Sequence, residues 1–157
     1  MENAIKCHRT MSRLSSKNNF FPPRGQAAKQ IQGQEDCLRI NVFTPSLDIK
    51  AKIPVMLHIH GGAYKIGSPE LQPQFLLPHV VFASITYRLN VLGFATTGDG
   101  VIPANLGIKD QVMALKWIRE NIETFGGDPN RVTVIGDSAG GSSVHLLLLS
   151  PLTKGVY

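Results

Sequence analysis

One serine of this 157-residue chain stands in a setting that favours nucleophilic chemistry. Gly136, Ser138 and Gly140 form a G-x-S-x-G pattern, with a short apolar stretch at 132–135 before it and a leucine-rich stretch at 142–149 after it. Where a strand turns sharply into a helix, the hydroxyl of such a serine is lifted clear of the backbone. The N–H groups at the start of the helix then face the place where an oxyanion forms. The pattern therefore predicts a catalytic nucleophile at Ser138.

Two other interpretations of this turn are weaker. In the first, the glycines only let a helix pack on a sheet, and Ser138 is the N-cap of that helix. In the second, the turn binds a phosphate, but the sequence lacks the lysine and the glycine spacing of a P-loop, and Asp137 would repel the phosphate. Nucleophilic catalysis is the interpretation that the local pattern favours.

A second loop supplies backbone hydrogen-bond donors. Gly61, Gly62 and Ala63 follow directly after the apolar stretch IPVMLHIH at 53–60, which predicts a glycine-rich turn at the end of a buried strand. Backbone N–H groups are fixed in place, so they stabilise an oxyanion without reorganising, and losing one donor costs on the order of 3 kcal/mol in known hydrolases. The loop alone would be read as an ordinary turn, but beside a nucleophile it predicts half of an oxyanion hole.

No histidine of the chain is placed to act as the general base for Ser138. His145 lies seven residues further along the same predicted helix, about 10 Å away. His58 and His60 share one side of a predicted buried strand, and His60 adjoins the glycine loop, so we expect it to orient that loop. The five histidines are His8, His58, His60, His79 and His145.

The elements that must position these residues have the order of an α/β fold. Residues 37–43 alternate as a half-buried strand does, and the apolar runs IPVMLHIHGG at 53–62 and VVFASITYR at 80–88 predict strands buried on both faces of a parallel sheet. A helix is predicted from Asn105 onwards by apolar residues at steps of three and four: Ile108, Val112, Leu115, Ile118, Ile122 and Phe125. The sequence Asp-Pro-Asn at 128–130 predicts a turn before the last strand, whereas residues 1–34 show no period and predict an irregular surface segment.

Composition and charge exclude several classes of function. The chain is 43% hydrophobic and 17% charged, as expected for one globular domain. Its excess of basic residues, 16 against 11 acidic ones, lies in residues 1–52, without the tight runs that nucleic-acid binding favours. No apolar run approaches the roughly 18 residues of a membrane span, and the first residues lack the apolar core of a signal peptide. We therefore expect no nucleic-acid partner and no membrane span, and no oligomeric state is implied.

The two cysteines leave two possibilities open. Cys7 and Cys37 are 30 positions apart, too far for a C-x-x-C redox or zinc pair, and His8 has no partner at metal-ligand spacing. The sequence alone fits a disulfide and two free thiols equally, because the redox state of the compartment decides between them. It predicts no metal site.

Three blocks of the chain resemble the type-B carboxylesterases, the family of α/β-hydrolase fold that includes the cholinesterases and many insect esterases. They are EDCLRINVFTP at 35–45, HGGAY at 60–64 and FGGDPNRVTVIGDSAGG at 125–141. The intervening ITYRLNVLGF and NLGIKDQVMALKWIRENI are similar to the same family, so the likeness covers about residues 35–151. Asp137 stands where many members have Glu, and Ala63 replaces the last glycine of the usual triplet.

The resemblance implies roles for individual residues. Ser138 would attack an ester carbonyl, and the N–H groups of Gly62, Ala63 and Ala139 would hold the oxyanion. In the family the catalytic acid and histidine follow the serine in the chain, and the resemblance implies that the family's opening hairpins precede Met1. We therefore expect 35–157 to be the N-terminal part of a carboxylesterase domain, a partial α/β-hydrolase fold with a mostly parallel sheet and helices on both faces, lacking N- and C-terminal parts.

The resemblance also implies a setting and a reaction. It favours a Cys7–Cys37 disulfide and a secreted, extracellular protein, and a serine esterase that cleaves small-molecule carboxylic esters through an acyl-enzyme without a cofactor. The fragment alone is expected to be inactive. The alternative is an inactive esterase-like adhesion module or pseudoenzyme, since some members keep the scaffold and lose the nucleophile.

Overall fold

The computed structural model describes residues 7–9, 32–34, 36–69, 73 and 76–156. Its strands are β1 (Cys7–Arg9), β2 (Gln32–Gln34), β3 (Ile40–Phe43), β4 (Ile53–Ile59), β5 (Val81–Ile85) and β6 (Gly127–Gly136). Its helices are α1 (Asn90–Phe94), α2 (Leu106–Asn121) and α3 (Ala139–Leu149), with short 3₁₀ turns at Ile122–Phe125 and Pro151–Thr153. None of the helices in these ranges is long and apolar enough to cross a membrane.

Four of the strands form one sheet in the order β3-β5-β4-β6. Strands β5 and β6 run parallel to β4 on either side of it, and β3 pairs antiparallel with β5 at the edge. Because β4 and β6 are parallel neighbours, their carboxyl ends lie side by side, with Ile59 opposite Gly136. The predicted α/β class with a mostly parallel sheet is confirmed, and this register brings the two predicted loops to one edge of the sheet.

The core lies between one face of the sheet and the helices α2 and α3. Alternate residues of a strand point to opposite faces, and the residues of β4 and β5 in the core are the odd-numbered ones. These are Val55, Leu57, Ile59, Val81, Ala83 and Ile85. They share the core with Val112, Leu115 and Ile118 of α2 and with Leu147 of α3. The apolar period that predicted the long helix is therefore its buried stripe.

The other face of the sheet carries the even-numbered residues of β4 and β5 together with Phe43 of β3. Phe82 of β5 is fully buried there, its ring 6.4 Å from that of Phe43 in β3 and 6.2 Å from that of His58 in β4. The Ser84 hydroxyl donates a hydrogen bond of 3.1 Å to the Pro69 carbonyl. Loop residues thus cover part of this face among the residues that the structure describes.

The last strand begins earlier than the sequence predicts. Strand β6 starts at Gly127, so the Asp-Pro-Asn turn falls within it. The pairing is irregular at this point: Ile53 lies opposite Gly127 and Val55 opposite Val132, so the intervening residues of β6 bulge out of the ladder. The Asn130 N–H donates to the Asp128 carboxylate at 2.9 Å inside the bulge. The residues do form a turn, but the turn interrupts a strand instead of preceding it.

Four other elements differ from the prediction. Strand β3 begins at Ile40 and not at Cys37, and the short helix α1 was not predicted. Strands β1 and β2 lie in the segment that the sequence predicted to be irregular. Each of them is three residues long and they pair with each other, so they are too short to show a period in the sequence.

Candidate active site

The turn between β6 and α3 has the geometry of a nucleophile elbow. Strand β6 ends at Gly136 and helix α3 begins at Ala139, so Ser138 stands at the bend. The φ of Ser138 is 52° and its ψ is −119°, a conformation that residues with a Cβ rarely adopt. The Ser138 side chain is exposed at the bend, so its hydroxyl is accessible to a substrate.

Close packing around the elbow explains why it contains glycine. A Cβ on Gly140 would collide with the carbonyl oxygen of Ile59 in β4. A Cβ on Gly136 would lie 2.6 Å from the carbonyl oxygen of Gly140. Helix α3 therefore starts in direct contact with the end of the neighbouring strand, as the small residues of the pattern predicted.

Ser138 occupies the N-cap position of α3, but its side chain makes no capping hydrogen bond. An N-cap serine that serves the helix accepts a bond from an N–H group of the first turn. No hydrogen bond to the Ser138 hydroxyl occurs within the described part of the chain. This geometry weighs against the purely structural interpretation of the serine, because the hydroxyl is left free for chemistry.

The loop after β4 turns through three consecutive residues with positive φ. The φ values are 114° for Gly62, 54° for Ala63 and 59° for Tyr64. The turn is closed by the N–H groups of Lys65 and Ile66, which donate to the Gly62 carbonyl at 3.0 and 3.1 Å. A Cβ on Gly62 would collide with the Ile66 carbonyl oxygen, so this position requires glycine.

The predicted oxyanion donors are not used for internal hydrogen bonds. Within the described ranges, the N–H groups of Gly62, Ala63 and Ala139 donate to no backbone or side-chain acceptor. Two of these groups lie on the loop after β4 and the third begins α3. Unused N–H groups at such positions are what an oxyanion hole requires.

The loop and the elbow are in contact. A Cβ on Gly61 would lie 2.7 Å from Oδ2 of Asp137 and 2.8 Å from its carbonyl oxygen. Asp137, which precedes Ser138, therefore packs against the residue that opens the glycine loop. The structure thus brings the elbow and the loop together, as the resemblance implied.

His60 orients the glycine loop, as the sequence predicts. Its Nδ1 lies 2.8 Å from the Gly61 carbonyl oxygen, and its ring stacks on Tyr87 with 4.5 Å between centroids. The Tyr87 hydroxyl donates to the His60 carbonyl at 2.8 Å, and burial raises the pKa of Tyr87, so this donor keeps its proton. Burial also lowers the pKa of His60, which favours the neutral ring.

The other described histidines make no hydrogen bond to Ser138. His58 Nε2 lies 3.5 Å from Oδ1 of Asp137, while His58 Nδ1 is buried without a partner in the described residues. His145 is exposed on α3, and His79 is exposed in the turn that precedes β5. The side chain of His8 lies outside the described residues, as does that of Cys7.

Sequence reasoning missed two buried polar groups beside the site. Arg88 donates from Nε and Nη2 to the two carboxylate oxygens of Asp110 at 2.7 and 2.6 Å, and this hydrogen-bonded pairing raises the pKa of Arg88. Gln111 and Ser143, both fully buried, form a second group with Tyr64. The signal was present, because Asp110 and Gln111 interrupt an apolar helix, but the sequence did not show their partners.

Comparison with known proteins agrees with this geometry. The model of the "Carboxylesterase family" matches residues 2–157, a wider range than the resemblance at 35–151. Esterase FE4 of Myzus persicae is 54% identical over 138 residues, and venom carboxylesterase-6 of Apis mellifera is 47% identical over 131 residues. These matches cover 83% and 82% of this chain and 24% of each relative. The chain thus spans about a quarter of the length of the curated relatives it matches.

A solved structure shows the same fold. Juvenile hormone esterase from Manduca sexta, with OTFP covalently attached, superposes with a TM-score of 0.75 at 35% sequence identity. The match covers 82% of this chain and 25% of that protein. The sheet is therefore part of an α/β-hydrolase fold. From its sequence, its fold and the elbow at Ser138, the chain belongs to the carboxylesterase family.

Proposed function

We propose that the full-length protein is a serine esterase that hydrolyses carboxylic esters with Ser138 as its nucleophile. Membership of the carboxylesterase family supports this reaction class. The observation that carries the proposal is the exposed Ser138 side chain at a bend with φ of 52°, uncommitted to helix capping. The inactive adhesion module gains no support, because the nucleophile and the free N–H groups are both retained.

The reaction proceeds in two steps at these groups. Ser138 Oγ attacks the ester carbonyl carbon and loses its proton to a general base, and the tetrahedral oxyanion accepts hydrogen bonds from the N–H groups of Gly62, Ala63 and Ala139. Collapse of this intermediate releases the alcohol and leaves an acyl-enzyme, which water then hydrolyses to the carboxylic acid. No described histidine reaches Ser138, so the general base in this proposal is a histidine other than His58, His60, His79 and His145.

A small-molecule ester is the proposed substrate, and these steps use no cofactor. The proposed setting is extracellular, which the likeness to a venom carboxylesterase supports. A Cys7–Cys37 disulfide is proposed with it. The antiparallel pairing of β1 with β2 supports this bridge, because it sets the backbone of Cys7 opposite that of Gln34, three positions before Cys37. Equal free-thiol counts with and without reductant would exclude the bridge.

Steady-state hydrolysis of a p-nitrophenyl ester by the full-length protein tests the proposed reaction. We expect Ser138→Ala to lower kcat by on the order of 10⁶, as loss of a nucleophile does in the subtilisin example. Ser142→Ala is the matched control, because Ser142 is also exposed and lies one helical turn further along α3. Equal activity of Ser138→Ala and the unsubstituted protein would overturn the proposal.

A further inference from the structure

A buried chain of hydrogen bonds joins α2, α3 and the glycine loop. Gln111 of α2 donates from Nε2 to the Ser143 hydroxyl at 3.1 Å. The Ser143 hydroxyl donates in turn to the Tyr64 hydroxyl at 3.2 Å. Gln111 and Ser143 are 0% exposed and Tyr64 is half-buried. The bond between Gln111 and Ser143 is therefore shielded from water, and the bond to Tyr64 is partly shielded.

Tyr64 is also held by its backbone and its ring. Its carbonyl oxygen accepts the Asn90 N–H at 2.6 Å. Its ring lies against Phe94 of α1 with 4.8 Å between centroids. Tyr64 has a φ of 59°, which costs on the order of 1 kcal/mol for a residue with a Cβ, so the surrounding contacts must hold it there.

This chain of hydrogen bonds links the two sides of the oxyanion hole. Tyr64 directly follows Ala63, whose N–H group is a proposed donor on the loop side. Ser143 lies on α3, the helix that begins at Ala139, which supplies the proposed donor on the helix side. The spacing of the donors therefore depends on how the loop is held against the helix, and the bond between Ser143 and Tyr64 spans that gap directly.

We propose that Tyr64, Ser143 and Gln111 are positioning residues that set the geometry of the oxyanion hole. They act through the loop and the helix and do not touch the substrate. The inference rests on the proposed function, because it assumes that an oxyanion forms between Ala63 and Ala139. Donors must meet the transition state within a few tenths of an ångström, and a misplacement of about 1 Å costs on the order of 10²-fold in rate.

We expect substitution of these positioning residues to weaken stabilisation of the transition state and to leave ground-state binding unchanged. Two ketones of the same shape separate these effects in the full-length protein. A trifluoromethyl ketone forms a tetrahedral serine adduct whose oxyanion occupies the hole, whereas the corresponding methyl ketone binds without the adduct. For Tyr64→Phe and Ser143→Ala we expect kcat/KM to fall about 10- to 100-fold. The Ki of the trifluoromethyl ketone should rise by the same factor, and that of the methyl ketone should not change.

Ser84→Ala is the matched control for Ser143→Ala. Ser84 is also 0% exposed and also donates one hydrogen bond, but on the opposite face of the sheet. We expect this variant to lose thermal stability while the ratio of the two ketone affinities stays at the unsubstituted value. The double variant Tyr64→Phe/Ser143→Ala should lose no more than the larger single loss, because both substitutions break the same bond.

The outcomes separate this inference from the proposed function. An unchanged ratio of ketone affinities in the folded Tyr64→Phe variant would overturn the inference while leaving Ser138-dependent hydrolysis intact. Tyr64→Phe keeps the contact of the aromatic ring with Phe94, so this variant still tests the inference if Ser143→Ala fails to fold. A full-length protein that shows no Ser138-dependent hydrolysis at all would overturn the proposed function, and this inference with it.

Discussion

Ser138 adopts its strained backbone conformation because its neighbours leave no alternative. A φ of 52° with a ψ of −119° costs about 1–3 kcal/mol for a residue that carries a Cβ. The contacts of Gly140 with the end of β4 and of Gly61 with Asp137 fix the chain on both sides of the bend. The stability of the surrounding sheet thus holds the hydroxyl in an exposed position.

His60 predicts how stability depends on pH at the residue scale. The unfolded side chain titrates near 6.5, and burial lowers the pKa of the folded one. Between these two pKa values the unfolded chain binds more protons than the folded one. The contribution of His60 to stability is therefore complete above about pH 6.5 and is lost as the pH falls through the folded pKa. Besides burial, the groups that shift the pKa of His60 are the Gly61 carbonyl, His58 and Asp137.

The measurement is the unfolding temperature of the full-length protein between pH 7.5 and 5. We expect His60→Asn to flatten this dependence, because asparagine keeps a donor for the Gly61 carbonyl and does not titrate. His79→Asn is the control, since the His79 side chain is exposed. A dependence equally steep in His60→Asn and the unsubstituted protein would show that another group is responsible.

At the scale of elements, a largely buried ion pair holds α2 against the segment that follows β5. Asp110 is 1% exposed in its side chain and Arg88 is 16% exposed. Asp110 also accepts the Arg88 backbone N–H at 3.0 Å. The pair therefore links the segment that follows β5 to α2, the helix that carries Gln111.

We expect Arg88→Met to lower the free energy of unfolding by about 3 kcal/mol, because it leaves the Asp110 carboxylate buried without its partner. Arg39→Met is the matched control: its ion pair with Asp36 is exposed on both sides, and such pairs contribute at most about 1 kcal/mol. The midpoint of urea unfolding measures both. Equal losses in the two variants would mean that Asp110 is solvated or finds another partner.

The elements around the site could be predicted where a short stretch of sequence specifies the same structure that the surrounding sheet requires. The apolar run that became β4, the stripe of α2 and the glycines around Ser138 each specify their own structure. Strand β6 was predicted too short, because Asp128 to Asn130 has the composition of a turn and the sequence cannot show that the turn is a bulge. The bond between Tyr64 and Ser143 joins residues 79 positions apart, and it depends on positive φ values that no local pattern predicted.

At the scale of the molecule, helix α3 exposes a row of apolar side chains. The four most exposed leucines near its end are Leu146, Leu148, Leu149 and Leu152. The sequence predicts that further structure covers this helix, since it is apolar nearly all round. The proposed general base is none of the described histidines, since none of them reaches Ser138.

The 157-residue chain expressed alone should therefore show no turnover. Without a base, the neutral hydroxyl of Ser138 is a poor nucleophile, and loss of the base histidine lowers kcat on the order of 10⁶-fold in the subtilisin example. The measurement is p-nitrophenol release from an activated ester, with the Ser138→Ala chain as control. A burst of product from the isolated chain that Ser138→Ala abolishes would contradict this expectation.

Covalent labelling of the full-length protein by a fluorophosphonate tests the central claim most directly. A fluorophosphonate transfers its phosphonyl group to an activated serine and releases fluoride, so mass spectrometry of tryptic peptides locates the nucleophile. We predict one modified peptide, residues 132–154, with the added mass on Ser138 and loss of esterase activity in proportion to labelling. Labelling of a different residue, with activity lost in the same proportion, would contradict the account.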